Sequence, residues 1–186
     1  NHLASSDSPF ATVVFDHVSG LQDLILKEVL GLEEIPAQKS WGMAQQQQYG
    51  QCVLQCKEHL RNFLSLAINV VIIAQERIDK DEGGSDIIKP NIGAAVMPSL
   101  ASWLNPACDY ILQTFKRPKF ETKTMTIQGQ KKSVTTRGKG VEYCLRTEPH
   151  DVYTTKFRVP KGKPLPDVIV DPSYDKIIAL LRGEAS

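Results

Sequence analysis

The sequence predicts an α/β protein: a parallel sheet flanked by helices, extended toward the C-terminus by an antiparallel β-hairpin. Three observations predict it. Residues 11–16 (ATVVFD) and 69–75 (NVVIIAQ) are short apolar runs ending in a polar residue, the pattern of strands buried on both faces of a parallel sheet. The stretch between them carries apolar residues at a 3.6-residue period, as helices that cross over such a sheet do. Beyond residue 110 the period drops to two, with glycines at the turns, as in antiparallel strands.

Each element follows from its residues. Leu21, Leu24, Ile25, Val29 and Leu30 define one side of a helix over 20–30, which Gly31 stops. Pro36 and Gly42 mark 31–43 as a loop. Tyr49, Cys52, Val53, Cys56, Leu60, Phe63, Leu64 and Ala67 form one face of a long helix over 44–67, whose first turn is an exposed run of glutamines, 45–48. The polar stretch 76–96, with Gly83 and Gly84, reads as a long loop of the kind that often carries function. Pro98 opens a short helix that runs to about Asn105 and ends at Pro106. Strands follow at 110–115, 122–128, 133–136, 141–146 and 153–159. Pro160, Pro164 and Pro166 keep the next stretch extended. Asp171 as N-cap and Pro172 as first helical residue then begin a final helix that runs to Arg182, with Gly183 as its stop. All of residues 1–186 read as a single domain, in which 116–146 is a basic hairpin and 171–183 the C-terminal helix.

Composition narrows the function classes. With 41% hydrophobic and 23% charged residues, the chain can bury a real core and is not disordered. No apolar run approaches the length that spans a bilayer, and the first residues resemble no signal peptide, so a cytoplasmic protein with no membrane partner is expected. Four cysteines are irregularly spaced. Cys52, Cys56 and His59 share one helix face, which a metal could use, but the face is apolar and core packing is the stronger reading.

The near-zero net charge conceals an asymmetry. Residues 1–100 hold 7 basic and 12 acidic side chains, whereas 101–186 hold 15 and 9. Within 116–146 there are 9 basic and 2 acidic residues. Such a stretch can meet nucleic acid through its phosphates, and Arg77, Lys116, Arg117, Lys119, Lys131 and Lys132 are the candidate contacts. A solvated basic hairpin is the competing reading.

Ligands of open α/β sheets bind at the carboxyl ends of the parallel strands. The two candidate strands end in Asp16 and Gln75. An aspartate after an apolar strand can hold the water shell of Mg²⁺ on a nucleotide, or simply cap the next turn. An amide at Gln75 can sense a terminal phosphate with one end and address a loop with the other. Lys156 and Arg158 alternate about Phe157, so a strand there would aim two cations to one side, suited to triphosphate charge.

The phrases ATVVFD, VVIIAQER and TTKFRVPKG occur in this order, together with WLNPACDYI (103–111) and EYCLRT (142–147). In this the chain resembles RecA-like P-loop ATPases, most closely their phage-type nucleotide-binding subgroup, over about residues 10–175. The resemblance implies ATP and Mg²⁺ as cofactors, Asp16 as the Walker B aspartate and Gln75 as the sensor glutamine. It implies that 76–97 corresponds to the segment that faces DNA in recombinase relatives. It also implies that Lys156 and Arg158 reach a neighbouring subunit's γ-phosphate, so the chain assembles with itself as a ring or filament.

One part of the family pattern is missing from the sequence. No G-x-x-x-x-G-K-[ST] phosphate loop occurs; Gly138-Lys139-Gly140 and Gly162-Lys163-Pro164 lack its spacing. The expectation is therefore the C-terminal portion of a longer ATP-binding, ATP-hydrolysing protein of phage or mobile-element DNA metabolism, inactive without its phosphate cradle. The alternatives are a nucleic-acid-binding module with a vestigial nucleotide site and a structural assembly subunit.

Overall fold

The computed structural model describes residues 9–36, 42, 44–79, 91–127, 130–158 and 166–184. The chain divides into two compact units, Asn1–Ala107 and Cys108–Ser186.

In the first unit, β1 (Thr12–Asp16) and β2 (Asn69–Ile73) pair in parallel, from Thr12 opposite Asn69 to Asp16 opposite Ile73. Two helices, α1 (Val18–Val29) and α2 (Gln46–Leu64), connect them, and α3 (Pro98–Ala107) packs against α2. Alternation divides the sheet residues between two faces. Val13, Phe15, Val70 and Ile72 are half-buried on one, where the Phe15 ring meets Phe63 of α2 at 5.4 Å. On the other face Val14, Val71 and Ile73 are 57%, 43% and 41% exposed, so that face is apolar yet uncovered by any described residue. The core lies among the helices: Leu26, Cys52, Cys56, Leu60 and Leu100 are fully buried. Arg61 of α2 lies 5.7 Å over the Trp103 ring of α3.

Helix ends differ slightly from the sequence reading. His17 caps α1, its Nδ1 accepting the Gly20 N–H at 2.9 Å. At α2 the Gln45 N–H donates to Gln48 Oε1 at 2.7 Å, so the glutamine run does serve as the opening turn. The stretch 76–96 is not all loop. Here β3 (Glu76–Asp79) and β4 (Asn91–Ala94) form an antiparallel pair, while 80–90 lie outside the described residues.

In the second unit, β5 (Gln113–Ile127) and β6 (Gln130–Arg146) form one long antiparallel ribbon. The strands read separately at 133–136 and 141–146, and the described part of that read at 122–128, are parts of it. A third strand, β7 (Val168–Val170), joins β6 only at Cys144, Leu145 and Arg146. Beneath that root, Leu145, Ile169 and Leu180 of α4 (Tyr174–Arg182) form a small core with Leu112, Phe157 and Ile177. The register jumps from Pro118 opposite Val141 to Phe120 opposite Arg137, so Lys119 faces a bulge of Gly138, Lys139 and Gly140. Gly140 has φ +104°, which a side chain would strain.

Two expectations are corrected here. Residues 153–158 do not form a continuous strand: Tyr153 and Lys156 are isolated bridge residues, Lys156 pairing antiparallel with Ile111, and the residues between them are not in a strand. The last helix begins later than Asp171. That residue takes a left-handed turn, φ 47°, and Ser173 is the cap, its Oγ accepting the Lys176 N–H at 3.2 Å.

Candidate functional site

The carboxyl ends of β1 and β2 carry the first cluster. Asp16 is the last residue of β1, exposed, and by alternation on the same face as the exposed Val14 and Ile73. The peptide to His17 is cis. Two residues further, Ser19 lies in the first turn of α1 and is 3% exposed. Its Oγ accepts the backbone N–H of Gln75 at 3.2 Å. The Gln75 carbonyl in turn accepts the Ala95 N–H at 2.7 Å. One turn along α1, Gln22 Oε1 accepts the Met97 N–H at 2.5 Å. Ser19 and Gln22 thus hold both ends of the segment from Gln75 to Met97, and Ser19 ties Gln75 to the turn that follows Asp16. The sequence reading singled out Asp16 and Gln75 but missed these two clamps. Their signal was a pair of polar residues three apart on an amphipathic helix.

Other features of this unit do not join the cluster. A cleft of about 430 Å³ lies between Gln46, Tyr49 and Val53 of α2 and Met97, Pro98 and Ser99; it has no charged lining residue and so does not suit a triphosphate. Arg77 is half-buried on β3, opposite Gly93. Cys52 and Cys56 are completely buried, whereas His59 is exposed, so the three are not gathered. The hydrogen bond to Cys56 and burial hold the Cys52 thiol far above its ordinary range, hence protonated. Among the described residues no group of three His, Cys, Asp or Glu could hold a metal.

The cations of the second unit sit at its base. The Lys156 backbone makes both hydrogen bonds of the bridge to Ile111, and its Nζ donates to the Cys108 carbonyl at 2.5 Å. Arg158 pairs with Asp109 at 2.8 Å, both side chains more than 60% exposed (63% and 65%). Phe157 points the other way, against Tyr110 at 5.1 Å and the small core. Both cations therefore converge on the corner at 108–109. Burial pushes the Cys108 thiol up, partly countered by Lys156.

The basic ribbon separates the proposed contacts. Lys116 and Arg117 are neighbours on one strand and so face opposite ways. Lys116 lies 5.5 Å over the exposed Tyr143 ring, whereas Arg117 Nε is bound to Glu142 at 2.9 Å, which raises its already high pKa. Arg146 is sandwiched between the rings of Phe115 and Tyr153, at 4.8 and 4.6 Å. Lys119 is exposed at the bulge, Lys132 is exposed opposite Met125, and the register places Lys131 opposite Thr126.

A family model described as an AAA domain matches residues 1–159. The chain belongs to that family. AAA domains are nucleotide-binding, ATPase-type modules of the P-loop NTPase class and typically use ATP with Mg²⁺. No curated protein and no solved structure gives a significant match. No helix among the described residues is long and apolar enough to cross a membrane. The donor set of this AAA domain fits the metal side of such a site. Mg²⁺ beside a nucleotide needs only one or two carboxylates, its remaining ligands being water and phosphate oxygens, and Asp16 is an exposed carboxylate at a parallel strand end.

Proposed function

We propose that this AAA domain is the C-terminal portion of a RecA-like ATPase that acts on DNA, in recombination or strand handling of a phage or mobile element. One observation carries the reading: β1 and β2 pair in parallel and bring Asp16 and Gln75 to the same sheet end, tied through Ser19. The apolar face beside Asp16, which no described residue covers, supports a phosphate-cradle unit of the parent protein as its natural cover, since parallel sheets are buried on both faces.

Each residue then has a role. Asp16 holds Mg²⁺ through water; the ion neutralises charge on the phosphates. Gln75 senses the terminal phosphate and passes the state to the segment ending at Met97, through the clamps on α1. Lys156 and Arg158 reach a neighbouring copy's nucleotide in a ring or filament. Arg158 can leave Asp109 cheaply, because an exposed ion pair contributes at most about 1 kcal/mol. A cation supplied in trans to phosphoryl transfer is worth about 10³–10⁵ in kcat.

The test uses the full-length protein that carries this sequence. Arg158→Ala should lower kcat by about 10³-fold while ATP affinity stays within a few fold. Equal loss of affinity and turnover would contradict the finger role.

A further inference from the structure

The ribbon beyond its bulge is built unlike the rest of the molecule. From Phe120 opposite Arg137 to Ile127 opposite Gln130 it has no third strand among the described residues, since β7 stops at Cys144. It extends about 24 Å at the usual rise per residue. The side chains described on both faces are mostly exposed: Phe120 and Met125 by 54% and 52%, with Thr122, Thr124, Lys132, Ser133, Thr135 and Arg137. A bare two-stranded ribbon is marginal in water and gains from a partner.

Its chemistry states which partner. Residues 119–139 hold six basic side chains and one acid, Glu121. Among the described residues, no carboxylate pairs with Lys119, Lys132, Arg137 or Lys139, unlike Arg117 at the root. The faces also differ. One carries Thr122 opposite Thr135, their hydroxyls 3.3 Å apart, then Thr124 opposite Ser133, with Phe120 opposite Arg137 at its base and no acid, while Lys132 lies on the other face opposite Met125. Glu121 lies on the other face, against Gly138, where a Cβ would come within 2.8 Å of its carboxylate. A narrow row of hydroxyls can approach base edges closely and both donate and accept there.

We propose that this ribbon is a duplex-DNA arm: it enters the major groove with the Thr122–Thr135 and Thr124–Ser133 face toward the bases, while Lys119, Lys132, Arg137 and Lys139 meet phosphates. The B-form major groove admits a two-stranded ribbon, whereas that of an RNA duplex is too narrow. Single strands are held by stacking on aromatic platforms, and past the bulge the ribbon offers only Phe120. The inference rests on the reading that this protein acts on DNA.

The experiment is fluorescence anisotropy of the full-length protein on a labelled DNA duplex across a salt series. The same strand unpaired and an RNA duplex of the same sequence serve as alternative probes. The double variant Lys132→Ala/Arg137→Ala, both exposed, should weaken duplex binding at least tenfold and flatten the log–log salt slope by about 2. Thr122→Val/Thr135→Val should leave that slope unchanged but reduce discrimination between duplex sequences. Unchanged affinity and slope in the cation variant would overturn the arm. So would tighter binding of the single strand or RNA duplex that the same variant abolishes. ATP turnover of the wild-type protein measured alongside separates the two claims: no turnover, with duplex binding that the cation variant weakens, contradicts the ATPase reading alone.

Discussion

Ser19 is the side chain whose removal best tests how the nucleotide end is assembled. Its Oγ is the acceptor for the Gln75 N–H, at 3.2 Å, and it joins residues 56 apart in sequence. Ser19→Ala deletes that acceptor and little else, because the side chain is only 3% exposed and the helix tolerates alanine well. A buried donor left without a partner costs about 1–3 kcal/mol. Gln75 itself is exposed, so water can partly replace the hydroxyl, which places the expected loss at the lower end, about 1–2 kcal/mol. For a chain of this size that is a fall in Tm of about 2–8 °C. Urea unfolding should show a lower midpoint with an unchanged slope. Hydrogen exchange should localise the effect, with faster exchange in the peptide containing Gln75 and not in α2. Unchanged midpoint and unchanged Gln75 exchange would refute the clamp.

Four further outcomes follow from the same structure. Leu60→Ala, at a position with 0% exposure between the helices, should cost about 3 kcal/mol by chemical denaturation. Gly140→Ala should loosen the ribbon bulge by about 1–2 kcal/mol from backbone strain alone, since an added Cβ meets nothing within 4 Å, whereas Gly138→Ala must push aside the Glu121 side chain, whose Oε1 and Cγ lie 2.8 and 2.9 Å from the added Cβ; amide exchange across β5 and β6 would rank the two. Asp109→Asn should leave stability within about 1 kcal/mol and leave turnover of the full-length protein undiminished, as an exposed pair predicts; a large loss would make Arg158 a structural cation. Under mildly alkaline iodoacetamide, Cys108 should label before the buried Cys52, Cys56 and Cys144, yet more slowly than a free thiol and faster as pH rises, because burial raises its pKa; peptide mass spectrometry reads the order.

Legibility in the sequence tracked how strongly local pattern was tied to burial. β1 and β2 could be read because Val13, Val14, Phe15 and Val70 to Ile73 are continuous apolar runs, and their parallel pairing is what such runs demand. α2 could be read because its 3.6 period is long. β3 could not: Glu76-Arg77-Ile78-Asp79 has one apolar residue and becomes a strand through its pairing with Asn91–Ala94, a non-local effect. Residues 133–136 and 141–146 read as two strands, whereas Gly138, Lys139 and Gly140 between them form a bulge inside one continuous strand. The opposite error came at 153–158, where β-branched and aromatic residues suggested a continuous strand but only isolated bridges form, at Tyr153 and Lys156. Among the candidate site residues, Asp16 and Gln75 were singled out by their place at the ends of the two apolar runs, and the structure brings them to one sheet end. That Arg117 is held by Glu142 while Lys116 lies over Tyr143 depends on register, which composition does not encode.

The central claim is that Asp16 serves a Mg²⁺-nucleotide, and ATP hydrolysis by the full-length protein with and without Asp16→Asn tests it most directly. The substitution keeps the side chain's shape and removes its charge at an exposed strand end, so the fold should survive. The account predicts Mg²⁺-dependent turnover that falls at least about 100-fold in the variant, with unfolding by urea unchanged. Turnover that persists at the wild-type rate, or is absent from the wild-type protein, would contradict it.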